Sequence, residues 1–202
     1  MKKTILFFAF FITISIGNAQ KNYVNDVHHF SFEYNFMLFQ LSEERIDEIN
    51  NAYYNLRNGI VFETGFENFI GNVPPLILVN ILKSQRPAGF NARAASLVYK
   101  KIDVSRTISV LNEVVPLIKS ASLKEPIIDL ENKIFIFSVK LESTIWDFDS
   151  KGRGLLVQFY GKDEVVQINF ATTENRFESD YEKYFKQIIE SFSFKSGYTF
   201  TD

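Results

Sequence analysis

The chain carries only two histidines, and they are neighbours, His28 and His29. An imidazole is the commonest general base and a common metal ligand near neutral pH. In a strand, adjacent side chains point to opposite faces, so the two rings are not expected to hold one ion together. They are expected to sit at a solvated strand start. No Gly-x-Ser-x-Gly elbow supports a Ser–His–Asp triad, and no glycine-rich phosphate loop or His-Glu-x-x-His zinc helix occurs. Asp147-Phe148-Asp149-Ser150-Lys151-Gly152 begins like a calcium loop, but that pattern wants an oxygen ligand fifth and a glutamate twelfth. Here those places hold Lys151 and Gln158. An ammonium repels the ion, so a hairpin turn is expected from Asp149 to Gly152, and no metal site.

Paired carboxylates do acid–base work in glycoside cleavage when they face each other across roughly 5–10 Å. Glu63 with Glu67 and Asp147 with Asp149 are the candidates, and solvation is the default for both pairs. The aromatic residues are more unusual, with 22 Phe, 9 Tyr and a single Trp. Trp146 falls on the strand parity of Lys140 and Glu142, and Phe148 continues it. If that side is open, Trp146 and Phe148 form a stacking platform for a ligand or partner. A sheet covered on both faces would bury them instead.

Such groups act only where the chain places them, and the first residues are an address. Lys2 and Lys3 precede an apolar run from Ile5 to Ile16, and Gly17-Asn18-Ala19 supplies the small-x-small pattern of a leader cleavage site. The run is shorter than the roughly 20 residues a membrane-spanning helix needs. The expectation is a leader over residues 1–19 and one α+β domain over residues 20–202. With 20 basic against 24 acidic side chains, the 183-residue mature chain has a net charge of −4. That field attracts neither nucleic acid nor an anionic membrane. There is no cysteine, hence no disulfide framework, thiolate metal site or lipid anchor through sulfur.

Alternation from His29 to Leu38 predicts a strand with Phe30, Phe32, Tyr34, Phe36 and Leu38 on one face. Ser42 as N-cap, then Ile46, Ile49, Tyr53 and Leu56, predicts a helix over residues 42–57 closed by Asn58-Gly59. Ile60 to Phe62 and Leu76 to Leu82 read as short strands. From Asp103 or Ser105, Ile108, Leu111, Val114, Val115 and Ile118 share helical spacing, but Pro116 should stop or kink that helix near Val115. Ile134–Trp146, Gly154–Tyr160 and Val165–Ala171 read as a three-stranded antiparallel meander. Asn175 is then placed to cap a helix whose stripe is Phe177, Tyr181, Tyr184, Phe185, Ile188, Ile189 and Phe192.

This terminal unit, VVQINFATTENRFESDYEKYFKQIIESFSF over residues 165–194, resembles the PsbP-like family, and HFSFEY over residues 29–34 is similar to that family's opening strand. The resemblance implies an α/β/α sandwich, an antiparallel sheet with helices packed on it, and an exported, non-catalytic habit. It transfers no functional residue. The family's opening strand usually runs into a proline turn and a Trp, whereas here Asn35-Phe36-Met37-Leu38 follows.

The function expected is that of an exported, periplasmic or extracellular binding or accessory protein of the bacterial cell envelope. Its partner would be a protein or small molecule, with no cofactor and no nucleic acid. A carboxylate-dependent envelope hydrolase is the alternative.

Overall fold

The computed structural model describes residues 20–54, 61–68, 75–83, 93, 97, 118–124, 127–143 and 150–200. Residues 1–19, Asn58-Gly59, the helical pattern from Asp103 to Pro116, and Trp146 to Asp149 lie outside them. In chain order the elements are β1 (Gln20–Asn25), β2 (Phe30–Asn35), β3 (Phe39–Gln40), helix α1 (Glu43–Tyr54), β4 (Phe62–Glu67) and β5 (Leu76–Lys83). There follow β6 (Ile118–Leu123), β7 (Ile127–Asp129), β8 (Ile134–Ser143), β9 (Ser150–Tyr160), β10 (Glu164–Thr173), helix α2 (177–191) and β11 (Ser193–Phe194).

Among the described residues these strands form two antiparallel sheets. The smaller has the order β1-β2-β11; the larger runs β3-β4-β5-β10-β9-β8-β6, with β7 also paired to β8. The predicted meander is present, with Phe137 opposite Leu156 in β8 and β9, and Ile168 opposite Val157 in β10 and β9. One expected turn is corrected. Ser150 pairs with Ser143 and Gly152 with Leu141, so Ser150 to Gly152 already belong to β9. Ile118, beyond the expected stop or kink near Val115, opens strand β6 opposite Ser143.

Register explains how both faces of the larger sheet are used. Ile77 and Val79 of β5, Val157 and Phe159 of β9, and Val166, Ile168 and Phe170 of β10 point one way. They join Phe30, Phe32 and Tyr34 of β2 and Phe177, Tyr184, Phe185 and Ile188 of α2 in the main core. Leu78 points the other way and meets Ile46 of α1 together with Leu41 and Phe62. Further along that second face, Phe135, Phe137, Tyr160 and Val165 form another apolar group. Burial therefore runs without a break from Val165 to Ile168. Each fully buried phenylalanine contributes about 1.5–3 kcal/mol of apolar transfer energy. Among the described residues, Phe30, Phe32, Phe66, Phe135, Phe137, Phe170 and Phe185 are less than 2% exposed. A chain without disulfides is held by such packing.

Local chemistry sets the helix ends. The Ser42 hydroxyl accepts from Arg45 N at 3.2 Å, as a capping serine should. Asn175, by contrast, does not cap α2. It lies inside a 3₁₀ turn, Glu174–Arg176, and its side chain accepts from the Thr173 hydroxyl at 2.7 Å. The helix start is held by a buried carboxylate instead. Asp180 accepts from Thr172 Oγ1 at 2.6 Å and from Arg176 Nη2 at 3.1 Å. Within α2, Tyr181–Phe185 forms a π-turn. Its wider winding lets consecutive Tyr184 and Phe185 both reach the core. Tyr184 there accepts from Asn68 Nδ2 at 2.6 Å.

The second face also carries polar side chains. Asn80, Gln167 and Gln158 occupy one rung across β5, β10 and β9, all buried. Tyr160 donates to Gln158 at 3.0 Å, Gln158 to Gln167 at 3.0 Å, and Gln167 to Asn80 at 3.2 Å. Asn169 donates to the same Asn80 oxygen at 2.9 Å, while Asn80 Nδ2 finds no acceptor. The amide row still fixes strand register, because a one-residue slip would face each amide with an apolar side chain.

Candidate binding site

The two histidines stand at the entry to β2, half-buried and not solvated. They lie in the turn joining β1 and β2, which the sequence Asn25-Asp26-Val27-His28-His29 builds by hydrogen bonding to itself. Asn25 Oδ1 accepts from Val27 N at 3.0 Å and from His28 N at 2.9 Å. His29 closes the turn with φ of 56°, in the left-handed region. That geometry sends His28 inward, leaving its side chain only 13% exposed.

His28 meets two carboxylates from separate strands. Nδ1 lies 2.8 Å from Oε2 of Glu164, the first residue of β10. Nε2 lies 3.9 Å from Oε1 of Glu63. Glu63 is the odd residue of β4: pairing with β5 shifts register between Phe62 and Thr64, and such a bulge re-aims a side chain. Burial raises the Tyr23 phenol above the usual tyrosine range, against the Asn25 hydrogen bond, and the nearby Glu63 charge adds to the rise.

The carboxy-terminal tail closes the corner. Lys195 N donates to His29 O at 2.8 Å, and the Tyr198 ring lies 3.7 Å from that of His29 at 30°. Lys195 pairs with Asp26, whose carboxyl it holds below the usual range. Lys162 N donates to Tyr198 O at 2.9 Å, and Gly161 bridges to Thr199. Between the β1–β2 turn, the β9–β10 turn and this tail lies a half-open cavity of about 210 Å³. Val27, Lys162, Asp163 and Tyr198 form its exposed rim.

The two nitrogens of one imidazole point away from each other, so each carboxylate holds a different edge of His28. The arrangement fastens the small sheet to the large one; it does not chelate. Among the described residues no group of three His, Asp or Glu side chains could hold a metal ion. Of the site residues read from sequence, Trp146 and Phe148 lie outside the described residues, as do Asp147 and Asp149. Glu63 is brought to His28 and not to Glu67, which stands at the far end of β4 opposite Leu76. Glu164 was missed, because nothing local marks it. The Asn-Asp turn signal ahead of His28, between two alternating segments, would have found the hairpin.

Two antiparallel sheets enclosing a phenylalanine core, with helices on both faces of the larger one, define a PsbP-like α+β fold. The solution structure of cyanobacterial PsbP (CyanoP) from Synechocystis sp. PCC 6803 has it, with a TM-score of 0.51 at 12% identity over 88% of this chain and 93% of that one. A crystal structure from Bacteroides thetaiotaomicron matches at TM-score 0.46 and 11% identity, over 88% of this chain and 49% of that one. The Saccharomyces cerevisiae Ran-binding protein Mog1p matches at TM-score 0.45 and 11% identity, over 87% and 95%. No protein-family model matches the sequence, and no curated protein does. No helix of the described residues is long and apolar enough to cross a membrane.

Proposed function

We propose that the chain is an exported, non-catalytic binding or accessory protein of the bacterial cell envelope, and that it engages a protein partner at the corner between its sheets. One observation carries this reading: the corner cavity is rimmed by exposed Val27 and Tyr198, 78% and 41% accessible, beside Lys162 and Asp163. Apolar anchors beside charges are how protein surfaces recognise each other. Size favours a protein. At about 210 Å³ the cavity is smaller than the roughly 300–1,000 Å³ of small-molecule sites, yet it has room for one inserted side chain. Export rests on the leader pattern of residues 1–19.

A hydrolase needs a carboxylate facing substrate, and at this corner Glu63 and Glu164 face the edges of one histidine. Trp146 and Phe148 are a second proposed contact. Ser143 and Ser150, which flank them, pair at the end of β8 and β9 remote from Glu164. The test is chemical cross-linking in envelope preparations, comparing wild type with Val27→Asp/Tyr198→Ala and with Trp146→Ala. Loss of the cross-linked partner in the first variant, with unchanged unfolding, supports the corner. Retention of the partner there removes it.

A further inference from the structure

Gln20 is the first residue of β1, at the outer edge of the three-stranded sheet, and it is exposed. Neighbouring amides are committed: Asn25 holds the β1–β2 turn, and Asn35 donates to Lys183 O and accepts from Met37 N. The Gln20 carboxamide has no hydrogen-bond partner among the described residues. Cleavage after Ala19 would place a free α-amine on this same residue.

We infer that Gln20 is a covalent modification site, where the mature amino terminus closes on its own side chain to form a pyroglutamyl lactam. This rests on the export reading above. The unprotonated α-nitrogen attacks Cδ, a new N–Cδ bond forms, the bond from Cδ to the amide nitrogen breaks, and ammonia leaves. The amine proton accompanies the leaving nitrogen, so no outside reactant is consumed. An α-amine titrates near neutrality, so a reactive fraction is present under ordinary conditions. The five-membered ring closes within one residue, where nucleophile and carbonyl are already held together.

The fold permits this. Gln20 registers with Asn35, the last residue of β2, at the end of the described β1–β2 ladder. The lactam keeps one N–H and the backbone carbonyl, the two groups a strand terminus offers its neighbour. Its ring projects from an exposed position. The product has no terminal charge, and an aminopeptidase finds no amine to grip at the free end of an edge strand.

The full chain, leader included, is produced in an exporting bacterial host and recovered from the envelope fraction for intact mass analysis and stepwise amino-terminal degradation. The expected product has the mass of residues 20–202 less one ammonia and resists degradation. Pyroglutamyl aminopeptidase then exposes Lys21. In Gln20→Ser the same cleavage leaves a free amine. A mass of residues 20–202 without ammonia loss, with Gln20 released in the first cycle, overturns cyclisation and leaves export standing. A chain that keeps residues 1–19, or starts elsewhere, overturns both.

Discussion

Replacing Gly154 by alanine puts a methyl group where the larger sheet has no space. Gly154 sits in β9 between Val139 of β8 and Ala171 of β10. An added Cβ would lie 2.4 Å from the carbonyl oxygen of Phe170, whereas ordinary contact begins near 3.4 Å. About 1 Å of movement must be found, and the obstacle is backbone. Phe170 is registered with Ile77 of β5 on its other side, and its ring stacks on Phe185 at 4.7 Å. Overpacking of this kind costs about 1–3 kcal/mol. Parting β9 from β10 weakens one or two ladder hydrogen bonds, each worth about 1 kcal/mol. Against this, alanine restricts the unfolded chain and returns about 0.4–1 kcal/mol. The clash wins, and the net loss is about 3 kcal/mol. For a chain of this size that lowers the melting temperature by roughly 6–12 °C. Thermal and urea unfolding followed by circular dichroism read it directly. A Gly154→Ala protein melting within about 2 °C of wild type, with an unchanged urea slope, would refute this packing of β9 on β10.

Gly161→Ala is expected to be milder, about 1–2 kcal/mol, because its Cβ meets the movable Phe194 ring at 2.8 Å. Hydrogen exchange should show lost protection at Lys162 N, whose acceptor is Tyr198 O; unchanged protection would contradict the tail's attachment there. A double-mutant cycle of His28→Ala and Glu164→Ala should give a coupling of about 0.5–1.5 kcal/mol in urea unfolding, and zero coupling would dissolve the clasp. Burial raises the Tyr160 phenol above the usual tyrosine range. The folded state thus favours the neutral phenol, so its contribution is complete below about pH 10 and is lost as pH rises beyond. Urea midpoints should fall above that pH, and Tyr160→Phe should flatten the decline while losing about 1 kcal/mol at neutral pH with the Gln158 hydrogen bond. An identical alkaline slope in the variant would count against it.

Periodicity made the terminal third legible. Phe135 and Phe137 alternate along β8, Val166, Ile168 and Phe170 along β10, and Phe177 to Phe192 wind as a helix, because one buried face imposes its spacing on local sequence. The same logic failed where local signals compete. Asn175 looks like a cap, but no side chain caps the start of α2; Asp180, held by Thr172 and Arg176, ties that turn to β10 instead. Ile118 continues the helical spacing past Pro116, where the stripe is expected to break, and it pairs in β6. β1 went unread because its burial alternates only weakly, as an edge strand's does.

By itself, then, the sequence determined the antiparallel meander, its helical cover, an apolar core rich in phenylalanine, and a leader pattern ending just before Gln20. Only the tertiary structure decided which distant groups meet. His28 finds Glu164, 136 positions away, and Glu63 reaches the same ring through a bulge that no residue type announces. Periodicity reports which way a side chain faces relative to its own neighbours. The partner it faces depends on strand order and register, which are settled by the packing of the whole sheet.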